Sequence, residues 1–275
     1  MATGKRLQQL RRAAGLSAHE VGVRLRQHHT TVTRAEQAKV ALKWTTVKAM
    51  LEIYGVEEAE AQRFLALTEQ ANAPGWWQSY RDVLPHCAAQ LVSLENSATH
   101  IRAYEPAVVP GLLQTQRYSR GVLRLERPRL ATDELERRVA LCAERQELLN
   151  RPNPPHLWVV MDETVLRRPV GEAGTLQAQI EYLIEATYLS NVTLQVLAFE
   201  SGLPPGAFGP FTLFRFPMPD FPDIVWVENL AGPKCGEDRS EVTLHREVLD
   251  RMSAQALSKA GTREFLEDAL KCWGR

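Results

Sequence analysis

The stretch LSAHEVGVRLRQHHTTVTRAEQAKVALKWTTVKAMLEIYGV, residues 16–56, decides how the first part of this 275-residue chain folds. Ser17 is a good helix N-cap, and Glu20 three residues later completes a capping box ahead of Val21 and Leu25. A short helix therefore spans about 18–25. After a turn at 26–28, Val32 and Ala35 form the buried face of another helix, whose solvent face offers His29, Thr30, Thr33, Arg34 and Gln37. Trp44, Val47, Leu51 and Tyr54 mark a further helix that stops at Gly55. Upstream, Leu7, Leu10 and Ala14 recur at i, i+3 and i+7 and predict a first helix ending near Gly15. Two short helices joined by a tight turn have the spacing of a helix-turn-helix.

Charge separates this stretch from the rest. Residues 1–56 carry ten Lys or Arg against Glu20, Glu36 and Glu52, a balance of +7. The remaining 23 basic and 30 acidic groups give −7, so the whole chain is neutral. One end favours a polyanion and the other avoids it, which points to double-stranded DNA as partner.

On these residues the segment resembles the lambda-repressor/Cro-like (XRE) family, which it follows from 16 to 56 without an insertion, over about one fifth of the chain. Arg11 matches the family's helix-one arginine and Glu36 the glutamate that pairs with it. The resemblance implies a recognition helix in the major groove, with His29, Thr30, Thr33 and Arg34 reading bases. Arg34 suits a bidentate contact to guanine O6 and N7, unless it pairs with an acid of its own or a neighbouring helix. Thr30 and Thr33 suit a thymine methyl or a phosphate. Ser17, Arg26, Lys39, Lys43 and the Trp44 indole N–H are the implied phosphate contacts, although Trp44 reads more readily as a core anchor. Three positions depart from the family: Arg26 and Ala38 replace glycines and Leu42 replaces a proline. A non-glycine residue in a left-handed turn costs about 1–2 kcal/mol, so a reshaped turn is expected at Arg26.

Beyond Val56 the character changes. Residues 57–71 read as an acidic helix with Phe64, Leu65 and Leu67 near one face, and 71–75, with Pro74, as a linker. The organisation expected is a DNA-binding domain over 1–70 and a sensing, partner-binding and dimerisation domain over 76–275. The second domain is helical over 76–150 and α/β over 156–275. Its helices are expected at about 87–104 (Leu91, Leu94, Ala98, Ile101), 115–125, and 132–149 capped by Thr132 or Asp133. Strands are expected at 157–161 and 192–199 around a helix at 174–189, which suggests a βαβ crossover and a parallel pair. Two more, 211–216 and 223–228, suit an antiparallel pair, and the chain closes with helix from about Glu241. The fold class is thus mainly α with an α/β C-terminal part, a small mixed sheet covered by helices.

No run of 18 apolar residues is present, which argues against a membrane span, and the start of the chain lacks the apolar core of a secretion signal. A cytoplasmic, nucleoid-associated location is expected. Cys87, Cys142, Cys235 and Cys272 are scattered, without zinc spacing, and read as reduced, mostly buried thiols. His28 and His29 are adjacent and project about 100° apart on a helix, so no metal site is expected, and no cofactor motif is present.

The segments WWQSYRDVLPHCAAQLVSLENSA, IRAYEPAVVPGLLQTQRYS, MDETVLRRPVG, NVTLQVLAF and GPFTLFRF give a second resemblance, over most of 76–270. They look like the Scr-type, antitoxin-like XRE regulators of high-GC soil bacteria, with VPGLLQT the most distinctive part. That resemblance implies a transcription factor whose C-terminal domain senses a small molecule or binds a small partner protein. The alternative it carries is an antitoxin-like protein that neutralises a small partner, with DNA binding secondary.

No catalytic residues are expected. Asp162 and Glu163 sit at a strand end and Glu95, His100 and Glu105 lie near a loop, yet no nucleophile motif, phosphate loop or metal triad accompanies them. Such paired acids suit helix caps. Trp76, Trp77, Tyr80, Tyr104, Trp158 and Trp226, with Glu105 and Gln114, suggest a ligand or partner groove, against the plainer reading of core filler. The function expected is a sequence-specific, homodimeric regulator, a repressor or autorepressor at a palindromic operator. The helices at 132–149 and 241–257 are the expected dimer contacts.

Overall fold

The computed structural model describes residues 2–36, 43–72, 75–206, 209–217 and 221–273. The chain divides into two compact units. One comprises Met1–Gly75 with Phe216–Pro222, the other Trp76–Arg215 with Asp223–Arg275.

The first unit is all helical: α1 (Ala2–Ala13), α2 (Ala18–Arg24), α3 (His29–Glu36), α4 (Trp44–Tyr54) and α5 (Glu58–Asn72). Leu7, Val21, Val32, Val47, Met50, Leu51 and Phe64 are fully withdrawn from water at its centre. Each such side chain contributes roughly 1.5–3 kcal/mol of burial free energy. The helix ends share one device. After α1, α2 and α4 the chain passes through a left-handed residue, Gly15 (φ 70°), Arg26 (φ 54°) and Gly55 (φ 70°). At each stop two backbone N–H groups return to carbonyls of the last turn, Gln27 to Gly22 and Arg26 to Val23 in the case of α2. This is the Schellman arrangement. The reshaped turn expected at Arg26 is therefore not found: the arginine adopts the glycine conformation, held by the same pair of hydrogen bonds.

The second unit is built on a six-stranded mixed sheet of order β3-β2-β1-β4-β5-β6. Its strands are β1 (His100–Glu105), β2 (His156–Asp162), β3 (Val192–Leu197), β4 (Phe211–Arg215), β5 (Ile224–Val227) and β6 (Lys234–Gly236). β1, β2 and β3 run parallel, with Tyr104 opposite Val160 and Val160 opposite Gln195. β4 joins β1 antiparallel, and β5 and β6 continue antiparallel. Helix α9 (Thr175–Ala186) makes the β2–β3 crossover, the βαβ unit expected. The β1–β2 crossover holds α7 (Gln116–Glu126) and α8 (Thr132–Gln146), which continues as a 3-10 turn through Leu149. Ahead of β1 stands α6 (His86–Ser97), and the chain ends in α10 (Arg239–Gln255) and α11 (Lys259–Trp273).

Three expectations are corrected. The helix expected over 87–104 ends at Ser97, and Ile101 and Tyr104 lie in β1, an inner strand of the sheet. Ala98 turns extended (ψ 148°), and from there Ile101 and Ala103 alternate with Arg102 and Tyr104 across two faces. The cap of α8 is Ala131, with Thr132 and Asp133 inside its first turn. Of the four cysteines, all free thiols, Cys87 and Cys272 are exposed near helix ends and only Cys142 and Cys235 are part-buried.

Alternation across the sheet separates two environments. Tyr104, Val160, Leu197, Phe211, Leu213 and Val225 point to one side and pack under Val242, Leu249 and Met252 of α10. The opposite side carries Ala103, Glu105, Leu157 and Thr212, in company with α6, α7 and α8.

Candidate nucleic-acid interface

The geometry of α2 and α3 follows from local chemistry. Ser17 accepts a hydrogen bond from the Glu20 N–H (3.2 Å), and the Glu20 carboxylate accepts from the Ser17 N–H (2.7 Å), the capping box expected. The Ser17 backbone N–H, with the Ser17 hydroxyl beside it, holds the Glu20 carboxyl below its ordinary pKa. The N-terminus of α3 is capped less commonly: His28 Nδ1 lies 3.4 Å from the Thr30 N–H and 2.9 Å from Thr30 Oγ1. Its ring is 4.2 Å from that of His29, which is 6.2 Å from that of His19.

The pairing of Arg11 with Glu36, implied by family resemblance, is present. Arg11 Nε donates to Glu36 Oε1 (2.6 Å) and Nη2 to Oε2 (2.9 Å), while Nη1 donates to the Leu16 carbonyl (2.7 Å). Both residues are buried. One guanidinium thus joins α1, the loop into α2 and the last turn of α3. The Glu36 carboxylate raises the Arg11 pKa above its ordinary value. Tyr54 beside them is also pushed up, chiefly by burial.

Gly22 was not singled out from the sequence. A Cβ placed there meets the Gln27 carbonyl oxygen at 2.9 Å, the His29 nitrogen at 3.0 Å and the His29 Cα at 3.1 Å, all backbone. Its missing side chain lets α2 lie directly against the start of α3. The only signal in the sequence is a glycine at a mid-helix position where it is otherwise costly.

With Val32 and Ala35 turned inward, His29, Thr30 and Arg34 are exposed on α3 and Thr33 is half-buried. Arg34 has no ion-pair partner among the described residues. The Thr33 hydroxyl donates back to the His29 carbonyl (3.2 Å). Ser17, Arg26 and Lys43 are exposed in the same unit. Trp44 is 37 % exposed, with Lys48 Nζ 5.4 Å from its ring centre. Lys39, Gln37, Ala38 and Leu42 lie outside the described residues.

In the second unit the aromatic residues read as one groove are not brought together. Trp76 stands edge-on to Trp77 (5.9 Å) and Tyr80 (6.2 Å), and Tyr80 donates to Glu144 of α8 (2.8 Å). Tyr104 is buried under α10. Trp158 lies beneath Arg102 (4.5 Å) and donates to Gln195, whose amide reaches the Ser253 carbonyl of α10 and the Leu257 carbonyl just beyond it. Trp226 is buried and donates to Glu228 (3.3 Å). Glu105 and Gln114 do share a cavity, with Gln114 used at both ends, donating to Val109 and accepting from Ser119. Asp162 accepts from the Thr164 N–H as a turn cap, and Glu163 from Arg167 and the Phe199 N–H. No helix among the described residues is long and apolar enough to cross a membrane.

A family model described as a helix-turn-helix domain matches residues 2–64, the span that holds α1 to α4. No curated protein and no solved structure matches the chain. A second family model, the domain of unknown function DUF5753, matches residues 88–268 and so takes in most of the second unit. The chain therefore belongs to the DUF5753 family and carries at its N-terminal end a helix-turn-helix domain, the module of a DNA-binding regulator.

Proposed function

We propose that this protein is a sequence-specific transcriptional regulator of the XRE type. It acts as a homodimeric repressor or autorepressor at a palindromic operator, with an effector taken by its C-terminal unit. The observation that carries the reading is α3: a helix braced by the buried Arg11–Glu36 pair and turned so that His29, Thr30 and Arg34 face outward. A braced helix presenting a guanidinium suits the guanine edge in a major groove, while Arg26, Lys43 and Ser17 suit flanking phosphates. One helix pair reads a half-site, which argues for a dimer. The exposed Leu244 on α10 is apolar surface of the kind such a contact covers.

The test is binding of the purified chain to the promoter of its own gene, against a scrambled competitor, over a salt series. Saturable binding to a palindromic site with affinity falling steeply in salt is expected. Equal affinity for the scrambled DNA overturns the reading and leaves the antitoxin-like alternative, checked by pull-down of a small protein partner.

A further inference from the structure

The second unit holds a cavity of about 340 Å³ between one sheet face and α6, α7 and α8. Its walls are largely aliphatic, with Leu91, Val108, Leu123 and Leu141 among them. Its floor is β1, where Glu105 follows Ala103 on the face turned toward the cavity. Glu105 is half-buried, and the surface it retains lines this space. Its carboxyl has no hydrogen-bond or ion-pair partner among the described residues. Two further carboxylates line the same cavity from exposed positions: Glu126 at the end of α7 and Glu228 just beyond β5.

The basic groups of the lining are mostly committed elsewhere. Arg145 is held by Glu95 through two hydrogen bonds (2.7 and 3.0 Å), and Arg138 by Glu134 (2.8 Å). Arg127 alone stands beside Glu126. Gly111 keeps Arg145 in place, since a Cβ there meets its Nη2 at 3.3 Å. What remains is an unpartnered acid, two acids and Arg127 at the rim, and apolar walls. Desolvation, with Glu228 close by, pushes the Glu105 carboxyl up to about 8. Burial and Glu228 likewise raise Glu126, and burial raises the Cys142 thiol. An unpartnered carboxyl in such a place is costly to ionise and is relieved by a cation.

We infer that this cavity binds a small aliphatic amine, its ammonium group against Glu105 between the rim carboxylates and its hydrocarbon part against Leu91, Val108 and Leu123. The site deepens the effector role proposed for this unit and rests on it for its biological meaning, though not for binding. Near pH 7 Glu105 enters protonated. The incoming ammonium keeps its own proton, the carboxyl releases one to solvent, and an ion pair forms. Affinity therefore rises from pH 6 to 9, until the amine itself loses charge near ~10.

The experiment is calorimetric titration of the full-length protein with n-pentylamine, 1-pentanol and n-pentanoate, in buffers of differing ionisation enthalpy. The amine is expected to bind with proton release at pH 7, and the alcohol and carboxylate roughly tenfold more weakly or worse. Glu105→Gln keeps the shape and removes the titration, so the variant stays folded and loses roughly tenfold or more in amine affinity. Leu91→Phe narrows the space without touching charge and weakens the amine as well. Equal binding of alcohol and amine, unchanged affinity in Glu105→Gln, or no proton release overturns the assignment. Operator binding in the same samples separates the two readings. Amine binding that leaves operator affinity unchanged upholds the site and removes its effector role. No amine binding with operator affinity intact removes the site and leaves the regulator.

Discussion

Glu36 in the N-terminal unit is a buried carboxyl and Glu105 in the C-terminal unit a half-buried one, and the chain treats them in opposite ways. Glu36 meets Arg11 through two short hydrogen bonds, so its charge is matched and serves to clamp three elements together. Glu105 faces aliphatic walls and like charge, and its proton is held to about pH 8. A matched buried charge fixes structure, because removing either partner strands the other. An unmatched one stores a demand for a cation or a proton. On the functions proposed, the difference suits one unit to a rigid reading head and the other to a receptor for small ligands.

The contrast breaks most sharply at Glu36. Glu36→Ala leaves Arg11 charged and buried and should cost about 3–5 kcal/mol of the stability of the helical unit, read by urea denaturation. Arg11→Met with Glu36→Leu should recover most of that loss; a cost below about 1 kcal/mol for the single change would show that the clamp is dispensable.

At Glu105 the expected effect follows pH. The unfolded chain releases this proton near the ordinary 4.5, the folded chain only near 8, so the stability it contributes is whole below the first value and gone above the second. Between pH 5 and 8 Glu105→Gln should gain on the wild type by at most about 1.4 kcal/mol per pH unit. Parallel stability curves for the two proteins would contradict the enclosure of this carboxyl.

The reading head is sharpened by Arg34→Ala. It should relax preference at one base pair by roughly 1–3 kcal/mol, measured by competition with single-substituted operators. Intact preference would show that Arg34 faces phosphate. The smallest effect is expected at Arg26→Gly, which should relieve about 1 kcal/mol of left-handed strain and raise the melting temperature. The same change should weaken DNA binding and lower the salt slope by about one.

Much of the reading head was legible because its signals are local. Ser17 and Glu20, Gly15 and Gly55 act within four residues of themselves, and the Arg11–Glu36 pairing came with family resemblance. The receptor was less legible. In β1, Ile101 fits the helical spacing set by Leu91, Leu94 and Ala98 and also the alternation of a strand, and only pairing with β2 and β4 decides between them. Glu105 faces the cavity for the same long-range reason. The aromatic residues form one group by composition, although sheet alternation sends Tyr104 and Trp158 to the α10 side and Trp226 to the other. The role of Gly22 is hidden in the sequence because a close backbone approach leaves no pattern in a single chain.

That bare position has a wider consequence. Where Gly22 faces residues 27 and 29, α2 and α3 touch main chain to main chain, with no side chain to absorb a displacement. The close approach of α2 to the start of α3 therefore depends on the absence of that methyl group. Restoring that methyl would pivot the outer end of α3 through a far larger arc than the few tenths of an ångström gained at the pivot. If α3 reads bases as proposed, Gly22→Ala should shift operator preference without altering any base-reading side chain.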